Sequence, residues 1–202
     1  MIAIIDYDMG NLRSVQKAFE RVGAEAKITR DPEVIRVASH VVLPGVGAFA
    51  NCMANLKKYK LIDPIKETID QKKPFLGICL GLQLLFQEGE EFGTHEGLGI
   101  FPGKVIRFKL PKKLKVPHMG WNRIHKSKKG TLVEELEDGT YTYFVHSYHV
   151  VPEDNGLIAT TTHYGKMFVS SIAKGNLFAC QFHPEKSQTA GLKILKAFTI
   201  KN

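Results

Sequence analysis

Cysteine is scarce in these 202 residues: Cys52, Cys79 and Cys180 are the whole supply. Three thiols without a CxxC spacing make neither a paired disulfide framework nor a metal site, so a reduced chain in a cytoplasm, holding no metal, is expected. Long apolar runs are missing as well. No segment nears the ~20 residues a membrane helix needs, and the opening "MIAIIDYDMGN" reads as a strand rather than a signal peptide. Phosphate loops are absent too. "LGIFPGKV" places Leu98 where a P-loop needs glycine and Val105 where it needs Ser or Thr. "LPGVGAF" lacks the third glycine and the acidic follow-up of a dinucleotide fingerprint, so no cofactor is implied. Acidic residues fall short of basic ones, 20 against 28, for a net charge of +8. The surplus gathers in "PKKLK" (111–115) and "KSKKG" (126–130), beside turn signals. Those loops are either a solvated face or a surface for an anionic partner or substrate. They carry no interleaved aromatics, which argues against nucleic acid.

What is present is an α/β pattern. "IAIID" (2–6) is an unbroken apolar run suited to a central parallel strand. Leu12, Val15, Ala18, Phe19 and Val22 follow at helical spacing, with Gly23 as a stop. "AKIT" and "HVVLPG" read as strands around a short helix, "DPEVIRVAS", which Asp31 caps and Pro32 opens. Residues 48–59 and 61–72 carry two more helical patterns. Phe75, Leu76 and Ile78 then read as a buried strand, and Leu80, Leu82, Leu84, Leu85 and Phe86 as a helix. Beyond that point short β-rich pieces dominate, from "GKVIRF" through "YTYFVHSYHV" to "LFACQFH", before a final helix over about 188–200. The pattern predicts a single α/β domain over 1–202: a mostly parallel central sheet flanked by helices, with additional antiparallel strands.

Cys79 sits where strand gives way to helix, between Gly77 and Gly81. "GICLG" has the form of a nucleophile elbow with sulfur in place of oxygen. Its glycines permit a tight turn, the following helix aims amides at the sulfur and favours thiolate over thiol, and the Leu80 amide suits an oxyanion. The competing reading is a buried core cysteine. A base is available in "FACQFHPE": His183 follows a strand, and Glu185 lies two residues on across the rigid Pro184. At extended spacing both side chains project to one side, where the carboxylate fixes the imidazole tautomer and leaves the other nitrogen to take a proton. "LPGVGAF" (43–49), a glycine turn after a strand, suits a second oxyanion donor or serves the fold alone. "HMGW" suits a hydrophobic contact or a core turn with Trp121 buried. Asn11 after Gly10 suits a helix cap, and His146 and His149 are structural by default.

Together, "PGVGAF", "GICLGLQLLF" and "FHPE", in that order, resemble the class I (triad) glutamine amidotransferases over essentially the whole chain. The resemblance implies Cys79 as nucleophile, His183 as general base and acid, and Glu185 as the group orienting the imidazole. It implies glutamine as substrate, a glutamyl thioester, and release of ammonia and glutamate. Val46, Gly47 and Leu80 become oxyanion donors, and Gly45, Gln83, Ser147 and Tyr148 substrate contacts. "YDMGNLRSV", "PHMGWN" and "YFVHSYHV" are further similar to the glutaminase subunits of imidazole glycerol phosphate synthases. That likeness implies a (β/α)8 cyclase subunit as partner, met by Asn11, Pro117, His118, Met119, Gly120, Trp121 and Asn122. A free-standing cysteine hydrolase or a non-catalytic adaptor are the competing readings. The first would turn over fully alone, and the second has no use for an intact Cys79, His183 and Glu185.

Overall fold

The computed structural model describes residues 1–201. Its first half alternates strand and helix as the apolar periodicity dictates. β1 (Ile2–Ile5), α1 (Leu12–Arg21), β2 (Ala26–Thr29), α2 (Pro32–Val37), β3 (His40–Gly45), α3 (Phe49–Lys58), α4 (Ile62–Asp70) and β4 (Phe75–Cys79) follow one another. The local punctuation works as expected: Gly23 takes φ +79 just past α1, and Asp31 accepts a hydrogen bond from the Glu33 amide to cap α2.

The helix after Cys79 is far shorter than its leucines suggest. α5 spans only Leu80–Gln83, and Phe86 already begins β5 (Phe86–Gly89). Hydrogen bonding explains the early stop. The carbonyls of Leu84, Leu85 and Phe86 are taken by the amides of Leu98, Ile100, Phe101 and Gly99 rather than by a further helical turn. One turn of helix sums few peptide dipoles, so the expected helix field on the sulfur shrinks to that of the nearest amides.

The second half is β6 (His95–Glu96), β7 (Phe101–Arg107), β8 (His118–Lys126), β9 (Thr140–His146), β10 (Tyr148–Pro152), β11 (Ile158–His163), β12 (Met167–Lys174), β13 (Leu177–Cys180) and α6 (Gln188–Thr199). "YTYFVHSYHV", read as one piece, is two strands that part at Ser147 and join different sheets. The large sheet runs β2-β1-β3-β4-β13-β12-β11-β8-β9. Pairing is parallel from β2 to β13 and antiparallel from there to β9, so the antiparallel share equals the parallel one. A smaller sheet, β10-β7-β5-β6, stands beside it.

Both faces of β1, β3 and β4 are covered, which is why these strands are largely apolar, whereas the edge strand β2 exposes Lys27. Ala3, Ile5, Val41, Leu43 and Phe75 pack with Phe49, Leu56 and Ile65 of α3 and α4. Ile2, Ile4, Val42, Leu76 and Ile78 pack on the opposite side with Phe19 of α1 and Ile194, Leu195 and Phe198 of α6. The carboxyl ends of β3, β4 and β13 lie side by side, with Gly45 opposite Cys79 and Cys180 opposite Ile78. In a parallel α/β sheet that edge is where ligands bind.

Candidate active site

Cys79 closes β4 with φ 55 and ψ −105, a conformation that L-residues avoid. Such strain persists only where the surroundings enforce it. Here the flanking glycines do so through close approach. A Cβ on Gly81 would fall 1.8 Å from the Leu43 carbonyl oxygen, and one on Gly77 would fall 2.9 Å from both Ala179 Cβ and the Gly81 oxygen. The chain turns sharply because β3 and β13 crowd it from both sides. The thiol is held at the sheet edge, 6% exposed.

His183 leaves β13 in extended conformation, and Pro184–Lys186 form a single 3-10 turn. That turn, rather than the extended spacing expected from the sequence, brings Glu185 back onto the imidazole: Nδ1 to Oε1 is 2.8 Å, with both side chains buried. The carboxylate accepts the Nδ1 proton, which leaves Nε2 as the basic atom. Nε2 is buried and carries no hydrogen bond. Burial pulls the His183 pKa down, while the charge and proximity of Cys79 and then Glu185 push it up, to about 10 on balance. The fold thus brings His183 within electrostatic reach of Cys79, about a hundred positions away in the chain. The backbone locks the arrangement, since the His183 amide donates to the Tyr143 carbonyl and the Ser187 hydroxyl to the His183 carbonyl.

A cavity of about 300 Å³ opens over the sulfur, lined by Val46, Gly47, Cys79, Leu80, Gln83, Ser147 and Tyr148 among others. Gly45, expected to contact substrate, is buried beneath the turn and does not line the cavity: a Cβ there would meet the Tyr7 hydroxyl at 2.5 Å and Leu80 Cβ at 2.9 Å, so the turn packs closely against the elbow. Leu80 opens α5, and its amide has no acceptor within the helix. The turn itself is held from below, the Tyr7 hydroxyl donating to the Pro44 carbonyl at 2.7 Å and the Cys52 thiol to the Val46 carbonyl at 3.8 Å.

Three cavity neighbours escaped the sequence reading. Glu91 lines the pocket and accepts from the Phe49 amide at 2.7 Å. Val145 presents its carbonyl to the Cys79 sulfur at 3.9 Å, and Gln181 donates Nε2 to the same sulfur at 3.6 Å. Glu91 lies in a loop without a motif. Gln181 adjoins "FHPE", and its fully buried position is the signal that only packing supplies.

Strand alternation sorts the residues expected to meet a partner. Met119 and Trp121 point outward, 62% and 46% exposed, so the core-turn alternative for Trp121 fails. His118 is 3% exposed and points inward; its side chain is covered and cannot itself touch a docked protein. It stacks on Tyr164 at 4.1 Å and hydrogen-bonds His146 at 3.0 Å. His146 in turn donates Nδ1 to the Tyr148 carbonyl at 2.7 Å, so the histidines of this cluster are structural supports of the pocket wall. Burial lowers their pKa values to about 4 for His118 and His149 and about 3 for His146. Pro117 lines the cavity rim, Gly120 is half-buried, and Asn122 donates to the His163 carbonyl. Asn11 is exposed at the start of α1 and makes no capping hydrogen bond with its side chain.

The description "Glutamine amidotransferase class-I" fits residues 3–202 as a family model. The chain is 54% identical to the imidazole glycerol phosphate synthase subunit HisH of Syntrophotalea carbinolica, covering 98% of each chain. It is 51% identical to the HisH subunit of Geobacter metallireducens, covering 98% of this chain and 97% of that one, and 53% identical to that of Aquifex aeolicus, covering 96% and 94%. Among solved structures, a glutamine amidotransferase crystal structure superposes with a TM-score of 0.76 at 19% identity, over 99% of this chain and 100% of that one. The structure of PurLQS from Thermotoga maritima gives a TM-score of 0.76 at 17% identity over 98% and 96%, a likeness of fold. Matched by that family model over residues 3–202 and by those subunits at more than half identity, the chain belongs to the class-I glutamine amidotransferases and, among them, to the HisH subunits of imidazole glycerol phosphate synthase.

Proposed function

We propose that Cys79, His183 and Glu185 are the triad with which this chain, a glutaminase subunit of imidazole glycerol phosphate synthase, hydrolyses glutamine and supplies ammonia. The observation that carries the assignment is the strained Cys79 beside a buried imidazole whose Nδ1 is held at 2.8 Å by Glu185. His183 Nε2 takes the thiol proton, and the thiolate so formed attacks the side-chain carbonyl carbon of glutamine. The oxyanion is received by the Leu80 amide and by an amide of the 45–47 turn, Val46 or Gly47. The imidazolium returns the proton to the departing nitrogen, so ammonia leaves and a glutamyl thioester remains. Water, deprotonated by the same Nε2, cleaves the thioester to glutamate and restores the thiol.

The cavity supplies recognition. Gln83 gives its amide hydrogens to the Tyr148 carbonyl at 3.2 Å and to Gln181 Oε1 at 3.0 Å, so its own oxygen is left for the substrate's α-ammonium. Glu91 adds a negative charge at the same wall. Ser147 and Tyr148 border the site where β9 and β10 part, presenting backbone groups to the amino-acid end.

The partner in this reading is a (β/α)8 cyclase subunit that consumes the ammonia in histidine biosynthesis, and the pair works in the cytoplasm. Two features support such docking. Met119 and Trp121 expose apolar surface beside the cavity rim at Pro117. The loop that carries Asn11 also rests on the oxyanion turn: a Cβ on Gly47 would fall 2.6 Å from Met9 Cε, and one on Gly10 would fall 3.6 Å from Pro44 Cγ. A partner pressing on that loop would press on the turn. The test is glutamate release by the isolated chain, with the cyclase subunit, and with Cys79→Ala. Activity surviving in Cys79→Ala would overturn the assignment; full activity without the partner would favour a free-standing hydrolase.

A further inference from the structure

We infer that Gln181 is a further catalytic residue of this site, giving the Cys79 sulfur an N–H donor whose direction is imposed by the Tyr148 carbonyl through Gln83. The inference rests on Cys79 being the nucleophile, as proposed above. Its evidence is a chain of hydrogen bonds with one allowed polarity. The Tyr148 carbonyl can only accept. Gln83 approaches it at 3.2 Å, so the Gln83 atom there must be the NH2 group. The same nitrogen reaches the Gln181 side chain at 3.0 Å, so Gln181 must offer its oxygen in that direction. Its NH2 group is thereby turned to the other side, where Cys79 Sγ lies 3.6 Å away. Amide orientation is ordinarily ambiguous between O and N, but here a fixed backbone acceptor removes the ambiguity. His146 donates to that same carbonyl at 2.7 Å and keeps it in place.

The consequences are chemical. Gln181 is fully buried, and a side chain of that kind is retained in a core only when its polar atoms are satisfied. It spends one end on the substrate-binding amide and the other on the nucleophile, so it couples the two. An N–H donor favours the anionic sulfur over the neutral one, because hydrogen bonds to charged acceptors are about twice as strong as those to neutral acceptors. The donor is engaged before attack and weakens as the sulfur's charge passes to the carbonyl oxygen. Its task is therefore to hold the thiolate in register with His183 rather than to stabilise the tetrahedral intermediate.

Gln181→Met keeps the bulk and removes both hydrogen bonds. In the full chain assembled with its cyclase subunit, alkylation of Cys79 by iodoacetamide, followed by mass spectrometry from pH 5 to 10, should slow about tenfold or more at pH 7, with the midpoint moving up. The KM for glutamine should rise as well, because Gln83 loses an acceptor. A second measurement needs no substitution. In wild-type protein, the Gln181 side-chain amide resonance should shift with pH at the midpoint of Cys79 alkylation, and that shift should vanish in Cys79→Ala. A folded Gln181→Met with wild-type alkylation and KM, or a Gln181 resonance indifferent to Cys79 ionisation, would overturn the inference. Cys79→Ala separates the two levels. If it stays active, the nucleophile assignment has failed; if it is inactive while Gln181→Met behaves as wild type, only the role of Gln181 has.

Discussion

At the scale of single residues, Cys79 is set apart by its backbone geometry and His183 by its charge environment. Burial opposes the imidazolium, while the charge of Cys79 and then the carboxylate of Glu185 stabilise it, and His183 is held at about 10. Glu185→Gln removes that charge while keeping an acceptor, so the alkaline limb of glutaminase activity should move to lower pH and kcat should fall by about 10²–10⁴. A pH–rate profile with an unmoved limb would contradict the assignment. Stability responds with the opposite sign at the other histidines. His118, His146 and His149 are buried and neutral, with pKa values near 4, 3 and 4, below the ~6.5 of an unfolded chain. The unfolded state takes up protons first as pH falls, so stability is present above about 6.5 and lost towards 4 at up to ~1.4 kcal/mol per pH unit for each histidine. His183, raised rather than lowered, stabilises fully below about 6.5 and loses that contribution as pH rises through about 10. Urea midpoints at pH 7, 6 and 5 should decline steeply, and His149→Gln should flatten the decline.

At the scale of elements, the elbow shows which constraints a motif encodes. Gly81 has no freedom to gain a side chain, because its Cβ position is occupied by the Leu43 carbonyl at 1.8 Å. Gly81→Ala should separate β3 from β4, costing upwards of about 3 kcal/mol and abolishing activity even where the chain still folds. Denaturant unfolding of Gly81→Ala beside wild type tests it, and a loss under 1 kcal/mol would be inconsistent with this packing. Strand and helix placement in the first half was legible because β1, β3 and β4 are buried on both faces and each helix on one. The length of α5 was not. Leu84 and Leu85 continue a helical pattern, yet their carbonyls bond the 98–101 segment, a contact between residues brought together only by the fold. The same holds for β5, whose neighbours β7 and β6 come later in the chain.

At the scale of the whole molecule, the large sheet gathers the site from four separated stretches at one edge: the 45–47 turn, the elbow, the 145–148 strand break and the 181–185 segment. The loop of residues 9–11 rests on the 45–47 turn and Pro117, just before β8, lines the cavity, so the docking face proposed above shares supports with the site. Ammonia made without an acceptor is wasted, and one oxyanion amide is worth about two orders of magnitude in rate. Glutamate release should therefore rise about 100-fold or more when the cyclase subunit carries its ligand; equal rates with and without it would remove the coupling. Trp121→Ala should weaken subunit binding by ~2 kcal/mol or more, read by calorimetry. Among the described residues no helix is long and apolar enough to cross a membrane.

The linear chain by itself determined the order of β and α units, the elbow with its two glycines and the pairing of His183 with Glu185, since each depends on neighbours a few positions away. It also carried the family likeness, because three short motifs in fixed order are rare by chance. Tertiary structure alone decided that His118 points inward while Trp121 points out, and that Gln181 touches the sulfur. Those outcomes follow from strand register and from competition for backbone hydrogen bonds among segments distant in sequence. Local periodicity carries no information about either.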